Sequence, residues 1–171
     1  MPSIPEKTEA SALPVTRTPT WQGVSLPWLL GAVWALGVIA LMARLAYGLL
    51  AVRRIARTAP EVDAGAWRAA LHEVADRLDL DELPRLVVSN AVRVPFACGF
   101  REPTIVVPAD AMSWTDDRRR VVLLHELAHI QRRDMIGHVL SRLACAMYWF
   151  HPLVWMAAQH LRAESERACD D

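Results

Sequence analysis

With 171 residues, 53% hydrophobic side chains and 19 basic residues balanced by 19 acidic ones, the chain is long enough to bury one core and carries no net charge. Its arginines are dispersed, which excludes the basic stripe of a nucleic-acid-binding surface. Lysine occurs once, at Lys7, so neither a Walker-type phosphate loop nor a Ser-x-x-Lys acylation site can lie in the body of the chain.

Residues 1 to 25 place Pro2, Pro5, Pro14 and Pro19 among serines and threonines and read as a disordered leader. From Leu26 to Ala43 there follow 18 residues without a formal charge, and Arg44 is the only charge before Arg53. At 1.5 Å per residue this block covers roughly 27 Å, close to the ~30 Å hydrocarbon thickness of a bilayer. A transmembrane helix over 26–52 is predicted, with Arg44 snorkelling at its end, and then a basic juxtamembrane linker over 53–60. A cleaved signal peptide fits poorly, because Glu6, Lys7, Glu9 and Arg17 precede the block in place of a short basic region. Arg53, Arg54 and Arg57 follow it closely, so the positive-inside rule puts everything after Arg53 in the cytoplasm, with Trp21 and Trp28 at the outer interface. A single span lines no pore, which speaks against transport. Cys98, Cys145 and Cys169 are too widely spaced for a CxxC pair and read as reduced, partly buried thiols.

Residues 61–171 read as one domain. Trp67, Leu71, Val74 and Leu78 recur at helical spacing and predict an amphipathic helix over Ala64–Leu80. Its His72 and Glu73 begin a false HExxH, since position 76 is Asp76. The β-branched runs at 83–90 and 103–108 predict strands, joined by VRVPFACGF with its Pro95 and Gly99. Ser113 followed by Asp116 suggests a capping box that opens a helix to about Asp134. The fold class is therefore α+β and mainly α: a transmembrane helix, then helices around a small sheet.

That last helix carries HELAH, residues His125 to His129. Residues four apart share a helix face with Cβ atoms about 5–6 Å apart, so two imidazoles can meet one ion. Zinc takes such nitrogens, and a catalytic site adds a third protein ligand and leaves one position open. Glu126 is then placed to take a proton from water. Chance gives HExxH in a chain of this composition only about 1% of the time. The flanking Val121, Val122, Leu123, Leu124, Leu127 and Ile130 predict a helix apolar nearly all round and buried, where unpartnered histidines would cost several kcal/mol.

The metzincin extension would need Gly at 132 and His at 135, but Arg132 and Met135 stand there. Third-ligand candidates are His138, His151, His160, Glu164, Glu166 and Asp170. The His151-Pro152 step should break the apolar run 135–166 into an antiparallel hairpin, rising roughly 24 Å and returning roughly 21 Å. Glu166 then comes back level with HELAH, whereas Glu164 points about 160° away and ranks second. Asp170 shares the face of Glu166 and could orient a ligand imidazole. His138, His151 and His160 read as surface or interfacial histidines, with His151 a minor candidate for binding an oxyanion.

HELAH, the WFHPLVW turn, ESERACDD and VPFACGFREPTIVVP together resemble the BlaR/MecR-type membrane zinc metallopeptidases, antirepressors of β-lactam resistance, over Leu83 to Asp171. The resemblance implies a gluzincin core in which His125, His129 and Glu166 bind Zn2+, Glu126 is the catalytic base, and Asp134 and Asp170 support the ligands. It implies a membrane-anchored endopeptidase of the bacterial inner membrane, facing the cytoplasm, whose substrate is a protein such as a transcriptional repressor. The alternative is a non-catalytic signalling or scaffold module with a structural or vestigial zinc site. Three departures are one span where relatives have several, the lack of a penicillin-binding sensor in this sequence, and its end at Asp171. The last suggests a fragment or truncated product whose third ligand sits on a fraying helix.

Overall fold

A computed structural model describes residues 25–170. The leader through Val24, with Trp21, lies outside the described residues, as does the side chain of Asp170. Helix α1 runs Leu26–Thr58, 33 residues, and so is about 50 Å long. Pro27 occupies its first turn, where the missing N–H costs nothing, and Ala59, held extended before Pro60, ends it. Leu26, Trp28, Leu30, Leu36 and Ile39 are all exposed, and none of the most apolar stretch of α1 is buried within the chain. Among the described residues it is the one helix long and apolar enough to cross a membrane.

The span expected as a linker is structured. Arg53, Arg54 and Arg57 lie in the last turns of α1, while Val52, Ile55, Ala56 and Ala59 recur at helical spacing and pack against Val87, Cys98, Val106 and Met135. The basic character of the segment hid this second, apolar face. The end of the long helix thus belongs to the core of the domain.

Helix α2 (Gly65–Arg77) buries Trp67, Ala70, Leu71, Val74 and Ala75. Strands β1 (Arg85–Ser89), β2 (Phe96–Cys98) and β3 (Thr104–Pro108) form a sheet of order β1-β3-β2. β1 runs parallel to β3, with Leu86 opposite Ile105, and β2 runs antiparallel to β3, with Ala97 opposite Ile105. Side chains alternate across β3: Ile105 and Val107 join Trp67, Leu71, Trp114, Leu123 and Leu127 on one face, and Val106 joins the end of α1 on the other. Every residue of β3 is buried, as a central strand covered on both faces must be. β2 falls within the stretch expected to be a connection, because three residues between Pro95 and Gly99 carry almost no period. Gly99 has φ 97°, and a Cβ there would lie 2.2 Å from the Glu102 carbonyl oxygen, so the turn from β2 towards β3 admits only glycine.

Helix α3 (Asp116–Gln131) is capped by Thr115, whose hydroxyl accepts from the Arg118 N–H at 3.4 Å. The expected cap, Ser113, instead closes a 3-10 turn over Ala109–Ser113 by donating to the Asp110 carbonyl at 2.7 Å. Nor is α3 buried all round: Leu123, Glu126 and Leu127 face inward, while Val121 and Leu124 are exposed. It stops at Gln131 rather than near Asp134, because Arg133 adopts the left-handed conformation (φ 55°) and starts a new axis. Helices α4 (Asp134–Met147) and α5 (Pro152–Asp170) then form the anticipated hairpin.

Candidate metal centre

The one-turn spacing in α3 brings His125 Nε2 to 3.2 Å from His129 Nε2, the rings meeting edge to face. From the returning α5, Glu166 Oε2 lies 3.7 Å from His125 Nε2 and 3.9 Å from His129 Nε2. Donors bound tetrahedrally to zinc at about 2.0–2.1 Å sit about 3.3 Å apart, so two imidazoles and a carboxylate at these separations fit one ion with small adjustment. His125, His129 and Glu166 form a group of donor atoms mutually within 4.8 Å.

His129 is fixed from behind. Its Nδ1 lies 2.8 Å from Asp134 Oδ2, which also accepts the Ser165 hydroxyl at 2.8 Å. A proton held on Nδ1 by the carboxylate leaves Nε2 as the free lone pair facing His125 and Glu166. The left-handed Arg133 makes this possible, since it turns the chain so that Asp134 meets the imidazole five residues behind it. Arg132 ties α3 to α5 from the same side, donating to the Ser165 carbonyl at 3.3 Å and lying 3.7 Å from Asp134 Oδ1. Cys169 Sγ stands 3.4 Å from His129 Nδ1 and 3.3 Å from Arg132 Nη1. If the centre takes zinc, replacing Asp134 by Asn should weaken its binding about 10–100-fold, the usual cost of losing a carboxylate behind a ligand imidazole. Competition titration against a chromophoric chelator measures it, and an unchanged affinity would show that Asp134 does not set the ring.

Glu126 is 7% exposed, whereas Glu166 is open to solvent on one side. Burial raises the Glu126 pKa; the imidazoles of His125 and His129 and the backbone N–H of Ala97 oppose the rise, and Glu166 adds to it. The N–H comes from β2, so the sheet edge and the carboxylate are in direct contact. An open groove of about 2070 Å³ runs past Ala97, Glu126, His125 and Glu166 and between α1 and α4.

The remaining candidates lie elsewhere. Glu164 pairs with Arg167 at 2.6 Å and lies 4.0 Å from His160 on the outer side of α5. Burial pushes the pKa of His138 down, and the nearby Arg142 and Arg162 add to this. His151 is at the tip of the α4–α5 hairpin, next to residues that touch the upper part of α1, and has no part in the centre. Cys98 is buried and its thiol pKa is raised to about 11 by desolvation; none of the three cysteines forms a disulfide. Ser165, Arg132 and the Ala97 N–H escaped the sequence reading. Only Ser165 had a signal, its adjacency to Glu166.

Two histidines one turn apart and a carboxylate delivered from a second helix could hold a metal ion, with a buried glutamate next to the first histidine. The chain belongs to the BlaR1 peptidase M56 family, whose model matches residues 2–171. It is similar to the regulatory protein BlaR1 of Bacillus licheniformis, 30% identical over 139 residues. The match takes in 81% of this chain and 23% of that protein, so the chain spans about a quarter of the relative's length.

Proposed function

We propose that this chain is the catalytic core of a membrane-anchored zinc endopeptidase that cuts a regulatory protein on the cytoplasmic side of the bacterial inner membrane. The observation that carries the reading is the convergence of His125, His129 and Glu166 beside the buried Glu126. His125 and His129 would hold zinc through Nε2 and Glu166 through Oε2. When bound, zinc supplies a Lewis acid that acidifies water to near neutrality and polarises a carbonyl. Glu126, its proton affinity raised by burial, takes a proton from the attacking water and passes it to the leaving amine. Asp134 keeps the His129 ring in register throughout.

The substrate would lie extended along β2. β3 is central in the sheet, and β2 is the outer strand on the side of Glu126. An open backbone edge of this kind accepts a peptide by β-strand addition. Arg53, Arg54 and Arg57 at the end of α1 support a cytoplasmic domain, and a transcriptional repressor is the substrate that the family resemblance suggests.

Metal analysis combined with proteolysis tests the proposal. The purified protein should carry one zinc per chain and cleave a repressor-derived substrate, with cleavage lost on chelation and restored by zinc. Protein that holds no zinc after purification and gains none on titration would overturn it.

A further inference from the structure

The hairpin α4–α5 does not pack only on the domain. Its tip climbs α1: Trp34 Nε1 donates to the Met147 carbonyl at 3.1 Å, and Trp149 Nε1 donates to the Trp34 carbonyl at 3.3 Å. The indole of Trp149 lies against Gly37 so closely that a Cβ there would come within 2.3 Å of Nε1. Trp34 and Gly37 stand at the middle of the charge-free block Leu26–Ala43. If α1 spans a bilayer, the tip is at mid-depth.

We infer that α4–α5 is a re-entrant hairpin whose tip, from about Leu143 to Leu161, enters the hydrocarbon region beside α1 and turns back on the side from which it came. Three lengths fit within half a bilayer. Between Arg142 and Arg162 there is no Asp, Glu, Lys or Arg. Before the turn Leu143–Met147 rises about 7 Å, and after it Pro152–Leu161 rises about 15 Å, within half of a ~30 Å hydrocarbon layer. On α1 the seven residues from Gly37 to Arg44 cover about 10 Å, and Arg44, Arg142 and Arg162 line the same groove. The charge-free stretch of each of the three helical legs thus ends at an arginine.

A turn at that depth must satisfy its own backbone, since lipid offers no hydrogen bonds. This one does. The Met147 carbonyl accepts from Trp34 Nε1, that of Tyr148 from the His151 N–H at 2.8 Å, that of Trp149 from Trp155 Nε1 at 3.0 Å, and that of His151 from the Val154 N–H at 3.3 Å. Pro152, the next residue, has no N–H to satisfy. Around the exposed His151, the side chains of Met147, Tyr148, Phe150, Leu153 and Met156 are each about half exposed or more, a mainly apolar surface suited to acyl chains. The metal centre, at the other end of the hairpin, then lies just outside the interface, so only a substrate segment near the membrane surface reaches it.

The inference rests on α1 being a span, and the test separates the two. The full chain, with Cys98, Cys145 and Cys169 replaced by Ser, is reconstituted in phosphatidylcholine–phosphatidylglycerol vesicles carrying single spin labels at Phe150→Cys, Ile39→Cys or Glu164→Cys. Power saturation with oxygen and a water-soluble nickel chelate reads their depths. Expected are equal, central depths at 150 and 39, with loss of nickel accessibility at both, and full accessibility at 164. Position 150 in water while 39 is central overturns re-entry but leaves the span. Position 39 in water overturns both. Labelling of Phe150→Cys by an impermeant maleimide only from the side opposite Glu164→Cys means that the segment crosses, and also overturns re-entry. With the native cysteines kept, benzoylphenylalanine at 150 should crosslink to acyl chains on irradiation, and a tip that gives no lipid adduct is not in the hydrocarbon.

Discussion

Glu126→Gln should lower cleavage about 10²–10⁴-fold, the usual contribution of a positioned general base, while zinc content and thermal stability stay near those of the parent. The substitution keeps the size and an amide oxygen that can still accept from the Ala97 N–H, and it leaves His125, His129 and Glu166 untouched. It removes only the capacity to hold and release a proton. A neutral amide also suits a site 7% exposed better than a carboxylate does, so unfolding is not an expected outcome. Single-turnover cleavage and metal analysis on the same sample separate the two consequences. Undiminished cleavage would remove Glu126 from the mechanism, and a signalling output that survives Glu126→Gln would favour the scaffold reading over the peptidase.

His129→Ala should abolish metal binding and with it the metal's contribution to stability. His129 is the hub of the centre, facing His125 and Glu166 through Nε2 and Asp134 through Nδ1. Its loss removes one of the three proposed ligands and leaves Asp134 with Ser165 and Arg132. Zinc at a thousand times its dissociation constant stabilises a folded protein by about 4 kcal/mol. Thermal unfolding of the parent should therefore rise on zinc addition and fall on chelation, and that of His129→Ala should respond to neither. A stoichiometric zinc retained by the variant would place the metal elsewhere.

Much of this was legible in the sequence. HELAH announces a pair of imidazoles because helical spacing alone sets them on one face, and the structure has them 3.2 Å apart. Glu166 could be ranked above Glu164 because the His151-Pro152 break and two helix lengths determine where the hairpin returns, and the structure puts Glu166 at the centre and Glu164 on Arg167. Asp134 had support from family resemblance only, since its position depends on the left-handed Arg133, a conformation that no residue type there announces. β2 was missed for a similar reason: three residues define no period, and their pairing with β3 is a long-range contact.

From sequence alone came the properties that depend on near neighbours: the long apolar helix, the paired histidines, the buried glutamate between them and the fold class. The tertiary structure decided what depends on residues far apart in the chain. It made β2 rather than β3 the open edge, drew the last turns of α1 into the core, and set Asp134 behind His129. It also laid Trp149 on Gly37, 112 positions away along the chain. The physical reason is that a helix period is written in every few residues, whereas an edge, a tilt or a docking depth is decided by which surfaces bury each other, and no local pattern records that choice.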